Sequence, residues 1–256
     1  EDTWIVVVSD HGHTPVQHDE QHALSDDDTR DDPPAVLRRD GFRPRPPELT
    51  LPEDAVFDAV LAYQGGLAYL YLADRSRCAA EGERCDWSAP PRYEDDVLAA
   101  ARAFWRASQE GDPFPSLQGS LAMVLVREPA APGERQRPFQ VFDGERAWLE
   151  SHPRDDWVDV ARRLEQLAVG PQGHLAGDVI LISNLGNDIP EKDRTYFSGP
   201  YHSWHGSPSR RDSEISLFVA RVGRSGGDIR STVEAVLAPQ RSQIRVAALL
   251  ERLLEE

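Results

Sequence analysis

What most constrains this chain is a set of five short, nearly unbroken apolar runs: Ile5–Val8, Leu67–Leu72, Leu121–Val126, Val179–Ile182 and Ile215–Ala220. Runs this short, with many β-branched residues and little polar alternation, predict strands buried on both faces, the pattern of a parallel sheet. Between them the period changes. Val97, Ala101, Phe104 and Trp105 repeat at helical spacing, as do Trp157, Val160, Ala161 and Leu164, and later Val246, Leu249, Leu250 and Leu253. Each set predicts a helix with one apolar side. Strands alternating with helices predict an α/β fold, a largely parallel sheet flanked by helices. The 256 residues show no internal repeat, so one domain with loop insertions is expected.

Charge narrows the function classes. Lys and Arg total 28 against 44 Asp and Glu, a net charge of −16. Such a surface repels nucleic acid polymers and anionic membranes. No apolar run approaches the roughly 20 residues that a membrane span requires. The segment from His18 to Pro52 holds Asp26-Asp27-Asp28, Asp31-Asp32-Pro33-Pro34 and Arg43-Pro44-Arg45-Pro46-Pro47. Its charge and proline predict a long surface excursion that buries little. Cys78 and Cys85, with six residues between them in a polar stretch, read either as a disulfide-closed loop in an oxidising compartment or as two free surface thiols. A zinc site there is disfavoured, because no second cysteine pair accompanies them.

The strongest chemical signal is Val8-Ser9-Asp10-His11-Gly12-His13-Thr14-Pro15, directly after the first apolar run. Sites in open α/β sheets gather at the carboxyl ends of strands. Asp10 and His11 offer one hard oxygen and one imidazole nitrogen, a pairing suited to zinc or manganese. Gly12 lets the backbone turn sharply behind them. A second cluster, Tyr201-His202-Ser203-Trp204-His205-Gly206-Ser207, lies about 190 residues later, shortly before the last apolar run.

Together these two motifs resemble the alkaline phosphatase superfamily, and most closely its type I phosphodiesterase/nucleotide pyrophosphatase branch, in which a buried strand ends in S-D-H-G and a late H-G supplies a further metal-binding histidine. Gly65-Gly66-Leu67-Ala68-Tyr69-Leu70-Tyr71-Leu72, Gly177-Asp178-Val179-Ile180-Leu181-Ile182 and the terminal helical pattern are similar to less specific features of that family. The resemblance implies an alkaline phosphatase-like fold and two divalent cations, zinc or manganese, with Asp10, His11 and His205 among their ligands. It implies hydrolysis of a small phosphate ester through a Ser or Thr phospho-intermediate. Here the chain departs from the pattern. The family's nucleophile and several metal ligands precede the S-D-H-G strand, whereas nine residues precede Asp10. The expectation is therefore the C-terminal portion of a larger catalytic domain, inactive by itself, and an extracytoplasmic protein, as members of the family often are.

Other side chains have weaker claims. Ser9 and Thr14 are the nearest hydroxyls, but neither occupies the family's nucleophile position. His13 is a candidate contact for substrate phosphate, and His202 a candidate substrate or ligand residue second to His205. His18 and His22 stand four apart, as in zinc-binding helices, yet lack the H-E-x-x-H glutamate and read as a polar loop. His152 and His174 read as surface residues. Phe197, Tyr201 and Trp204 read as packing aromatics that could also stack on a base or aryl group. Gly206-Ser207-Pro208-Ser209-Arg210 has glycine where the sulfatase signature needs Cys or Ser, which excludes formylglycine chemistry. Two alternatives stand beside the hydrolase: a catalytically silent metal-binding or interaction domain derived from such an enzyme, and a metal-dependent phosphomutase.

Overall fold

The computed structural model describes residues 3–24, 32–46, 50, 55–78, 84–131, 133–148, 154–168, 173–238 and 241–255. In chain order its first elements are β1 (Trp4–Val8), β2 (Thr14–Pro15), α1 (Pro33–Arg39), β3 (Ala59–Tyr63), β4 (Leu67–Leu72), α2 (Leu98–Glu110), β5 (Leu121–Val126), β6 (Gln140–Phe142) and β7 (Ala147–Trp148). There follow α3 (Val160–Ala168), β8 (Val179–Ser183), β9 (Ser203–Trp204), α4 (Arg210–Ser213), β10 (Leu217–Arg221), α5 (Gly226–Leu237) and α6 (Val246–Leu254). These elements divide into two compact units, Glu1–Gly12 with Glu214–Glu256, and His13–Ser213, where the sequence reads as one domain.

The larger unit is built on a six-stranded sheet of order β3-β4-β8-β5-β6-β7. Every ladder in it is antiparallel. This corrects the largely parallel sheet expected from the sequence. The apolar runs do report burial on both faces: all five residues of β8 are buried. Val179 and Leu181 point into one core with Leu70, Val124, Phe104 and Leu37, while Ile180 and Ile182 point into another with Leu125, Phe139, Val160 and Leu164. α1 and α2 thus cover one face and α3 the other. An antiparallel strand covered on both sides needs the same apolar composition as a parallel one, so composition does not fix strand direction.

The expected surface excursion is also corrected where it is described. Residues 25–31, 47–49 and 51–52 of that stretch lie outside the described residues. Asp32 caps α1 by accepting a hydrogen bond from the Ala35 N–H, and Pro33 and Pro34 occupy the first helical positions. Proline is well suited there, because the amide it lacks has no helical partner at that place. The short helix buries Val36 and Leu37, and Phe42 follows them into the core. Cys78 and Cys85 are joined as a disulfide.

The smaller unit pairs β1 with β10 as a two-stranded antiparallel ribbon, in register from Trp4↔Arg221 to Val8↔Leu217. α5 and α6 complete it, with Ile229, Leu249 and Leu253 buried. The doubly buried strand expected at Ile5–Val8 does not form: Ile5 is 57% exposed, Val7 56% and Phe218 65%. The ladder with β10 holds this run extended without cover on both faces.

Candidate metal centre

In the larger unit, two segments far apart in sequence meet on a small sheet. β2 pairs antiparallel with β9, Thr14 opposite Trp204 and Pro15 opposite Ser203. Continued outward, that register sets His13 against His205 and Val16 against His202. The rings of His13 and His205 meet edge to face with centroids 5.2 Å apart. At the other end His18 meets His202 at 4.4 Å, and the Val16 N–H donates to the His202 carbonyl at 3.1 Å. His13 Nδ1 shares a hydrogen bond of 3.2 Å with the Ser203 hydroxyl. One ring nitrogen of His13 and one of His205 lie within 4.8 Å of each other. Bonds of about 2.0–2.1 Å to one tetrahedral zinc would bring two such nitrogens to roughly 3.3 Å.

Local backbone explains why His205 sits where it does. The turn at Gly65 and Gly66, between β3 and β4, packs directly on residues 205–207. The Gly66 N–H donates to the His205 carbonyl at 2.6 Å, and a Cβ on Gly66 would stand 2.9 Å from the Gly206 carbonyl carbon. Gly206 adopts φ of +106°, and a Cβ there would meet the Gln64 carbonyl oxygen at 2.7 Å. Both positions therefore exclude a side chain. Beneath the turn, the buried carboxylate of Asp212 accepts from the Thr14 hydroxyl at 2.6 Å and the Ser207 hydroxyl at 2.7 Å. This ties β2 to the chain just after β9. Thr14, fully buried and bonded to Asp212, has a structural role.

The remaining side chains around this sheet divide plainly. His22 is fixed in place rather than being part of a solvated loop: Nδ1 lies 2.7 Å from Asp19 Oδ1 and Nε2 2.9 Å from the Lys192 carbonyl. Burial raises the Asp19 carboxyl, but the hydrogen bonds from His22 outweigh it and hold the group below its ordinary range. Phe197 is core, stacked on Tyr63 at 5.8 Å. Trp204 lies against Tyr201 and Tyr196, and Tyr201 is 57% exposed. His174 is exposed, and His152 lies outside the described residues.

Asp10 and His11 belong to the smaller unit, His13 and His205 to the larger. After β1, Asp10 Oδ1 accepts from the His11 N–H at 3.0 Å and Oδ2 lies 3.4 Å from His11 Nε2. His11 Nδ1 lies 2.9 Å from the Gly12 carbonyl, and the Ser9 hydroxyl donates to the His11 carbonyl at 2.7 Å. The Gln243 side-chain amide donates to the Ser9 carbonyl at 2.8 Å and also to that of Asp10. The Asp10 carboxylate is 86% exposed. Asp58 lies beside Cys78 and Cys85, but both sulfurs are consumed in the disulfide, leaving no thiolate for a metal.

Sequence reasoning missed the His18–His202 contact, the Ser203 bond and the Asp212 anchor. One signal was available: Ser203 and His205 stand two apart, the spacing that puts side chains on one face of a strand. No protein-family model, curated protein or solved structure matches this chain. No helix among the described residues is long and apolar enough to cross a membrane.

Proposed function

We propose that this protein is a metal-dependent hydrolase of small phosphate esters, of the phosphodiesterase or nucleotide pyrophosphatase type, with Asp10, His11 and His205 among the ligands of its divalent cations. The observation that supports this reading is the convergence of the His13 and His205 imidazoles across β2 and β9. Two histidines drawn from residues 192 apart in sequence make a donor set fit for zinc or manganese. Through its contact with His205, His13 joins the ligand candidates.

Divalent cations, if held by Asp10, His11 and His205, would supply positive charge to polarise the phosphoryl oxygens. The chain's own part is positioning. Ser203 orients the His13 ring through Nδ1, the Gly65–Gly66 turn fixes the backbone of His205, and exposed Tyr201 offers a ring to the leaving group. His202, held edge-on by His18, lines the same sheet. Ser9 and Thr14 are not assigned as nucleophile, because their hydroxyls donate to the His11 carbonyl and to buried Asp212.

The test is hydrolysis of bis(p-nitrophenyl) phosphate by the natural protein with added zinc or manganese. Asp10→Ala and His205→Ala are each expected to lower both metal content and rate, the latter by at least about a hundredfold. Full turnover in either variant would remove that residue from the proposed site.

A further inference from the structure

A second feature of the larger unit lies outside the histidine sheet. A cleft of about 410 Å³ is lined by Gly41, Arg43, Asp58, Arg75, Ser76, Cys78 and Arg92. That is the size range of small-molecule sites, and in a chain of net charge −16 three arginines converging on one cleft run against the composition. Each guanidinium is pinned from behind. Arg43 Nε donates to Asp58 at 2.9 Å and Nη2 to Cys85 Sγ at 3.2 Å. Arg75 Nε donates to Asp96 at 2.9 Å, and the guanidinium stacks 3.8 Å over the Phe42 ring. Arg92 is paired on every side, with Asp96 through Nη2 at 3.0 Å, Asp74 through Nε at 3.2 Å and Asp95 through Nη1 at 2.7 Å.

Exposure shows which charge the cleft presents. The Asp58, Asp96 and Asp74 side chains are 3%, 0% and 11% exposed, while Arg43, Arg75 and Arg92 are 36%, 24% and 39% exposed. These three carboxylates lie in the wall with the guanidinium ions nearer the water, while Asp95, paired with Arg92, is 64% exposed. The Nη1 groups of Arg43 and Arg75 make no hydrogen bond or ion pair among the described residues. An arginine already fixed along one edge loses little further freedom when its other edge binds a ligand, and its planar fork matches paired oxygens. The geometry points to an anion-binding site in which the Nη1 edges of Arg43 and Arg75, with the Arg92 charge beside them, take a small oxyanion bearing two or more negative charges, a phosphoryl or carboxylate compound.

This site is independent of the hydrolase reading, and the assay separates them by working in a chelator. Inorganic phosphate is titrated into the metal-free protein and followed by phosphorus line broadening and by thermal shift, with malonate as the carboxylate arm. The expected result is saturable binding of at least one of the two, one per chain, surviving the chelator and weakened by added salt. Arg75→Gln leaves Asp96 still held by Arg92, and is expected to bind at least about tenfold more weakly. Arg43→Lys, which keeps the charge and loses the fork, provides the second variant should Arg75→Gln fail to fold. Saturable binding of neither anion, or affinity unchanged in the folded variants, would overturn the assignment. Phosphate without malonate identifies a phosphoryl ligand, and the reverse a carboxylate.

Discussion

Asp178 offers a quantitative test of how the larger unit is packed. It follows Gly177, whose φ of +73° and closeness to the Leu70 carbonyl leave no room for a side chain, and leads into β8. Its N–H donates to the Leu70 carbonyl, and its Oδ2 accepts from the Leu72 N–H, both at 2.8 Å. Burial pushes the carboxyl from its ordinary 3.8 up to about 6, against the pull of that hydrogen bond and of the Arg127 charge. In the unfolded chain it would ionise near its ordinary value. Below that value both states are neutral and the group costs nothing. As pH rises, the unfolded state ionises first, so the favourable contribution is lost through about pH 6. At a displacement of about 2 units, the cost at neutral pH is on the order of 3 kcal/mol.

Asp178→Asn keeps an acceptor for the Leu72 N–H and abolishes the titration. The measurement is urea unfolding of both proteins from about pH 4 to pH 7, following the difference between them, because the other carboxylates titrate alike in each. The variant is expected to gain roughly 2 kcal/mol relative to the parent across that range. A difference that stays flat, or moves the other way, would refute the burial argument.

Other expectations follow from particular contacts. Gly66→Ala drives a methyl into residues 205–207 and should cost about 1–3 kcal/mol while weakening zinc binding; a variant that kept both stability and zinc would show that the turn does not position His205. Leu181→Ala, at a fully buried site in β8, should lose about 2–5 kcal/mol by urea unfolding, and a loss well under 1 kcal/mol would deny its place in the core. Replacing Cys78 and Cys85 together by serine opens a loop of about eight residues, worth about 2–3 kcal/mol on the chain-entropy model. An unchanged melting temperature in that variant, in non-reducing buffer, would argue that the bond does not form.

Sequence periodicity carried the three expected helices into α2, α3 and α6, and the apolar run at Val179–Ile182 into a strand covered on both faces. It did not carry strand direction, because side-chain alternation records what covers a strand and not which way its neighbour runs. The same limit explains Ile5–Val8, whose composition matches β8 while three of its four residues are exposed. Around α1 the cap and the two prolines were readable as a helix start, but surrounding charge outweighed them. At the candidate site the individual histidines were legible, whereas their pairing was not. His13 meets His205, and His18 meets His202, only through the β2–β9 register, which Asp212 and the Gly65–Gly66 turn impose from elsewhere in the chain.

The most direct measurement is a zinc titration by calorimetry of the parent protein beside His13→Ala, His205→Ala and, as a control at an exposed position, His174→Ala. The account predicts that the parent and the control bind alike, and that each of the other two variants loses at least about tenfold in affinity. Equal zinc affinity in all four proteins would contradict it.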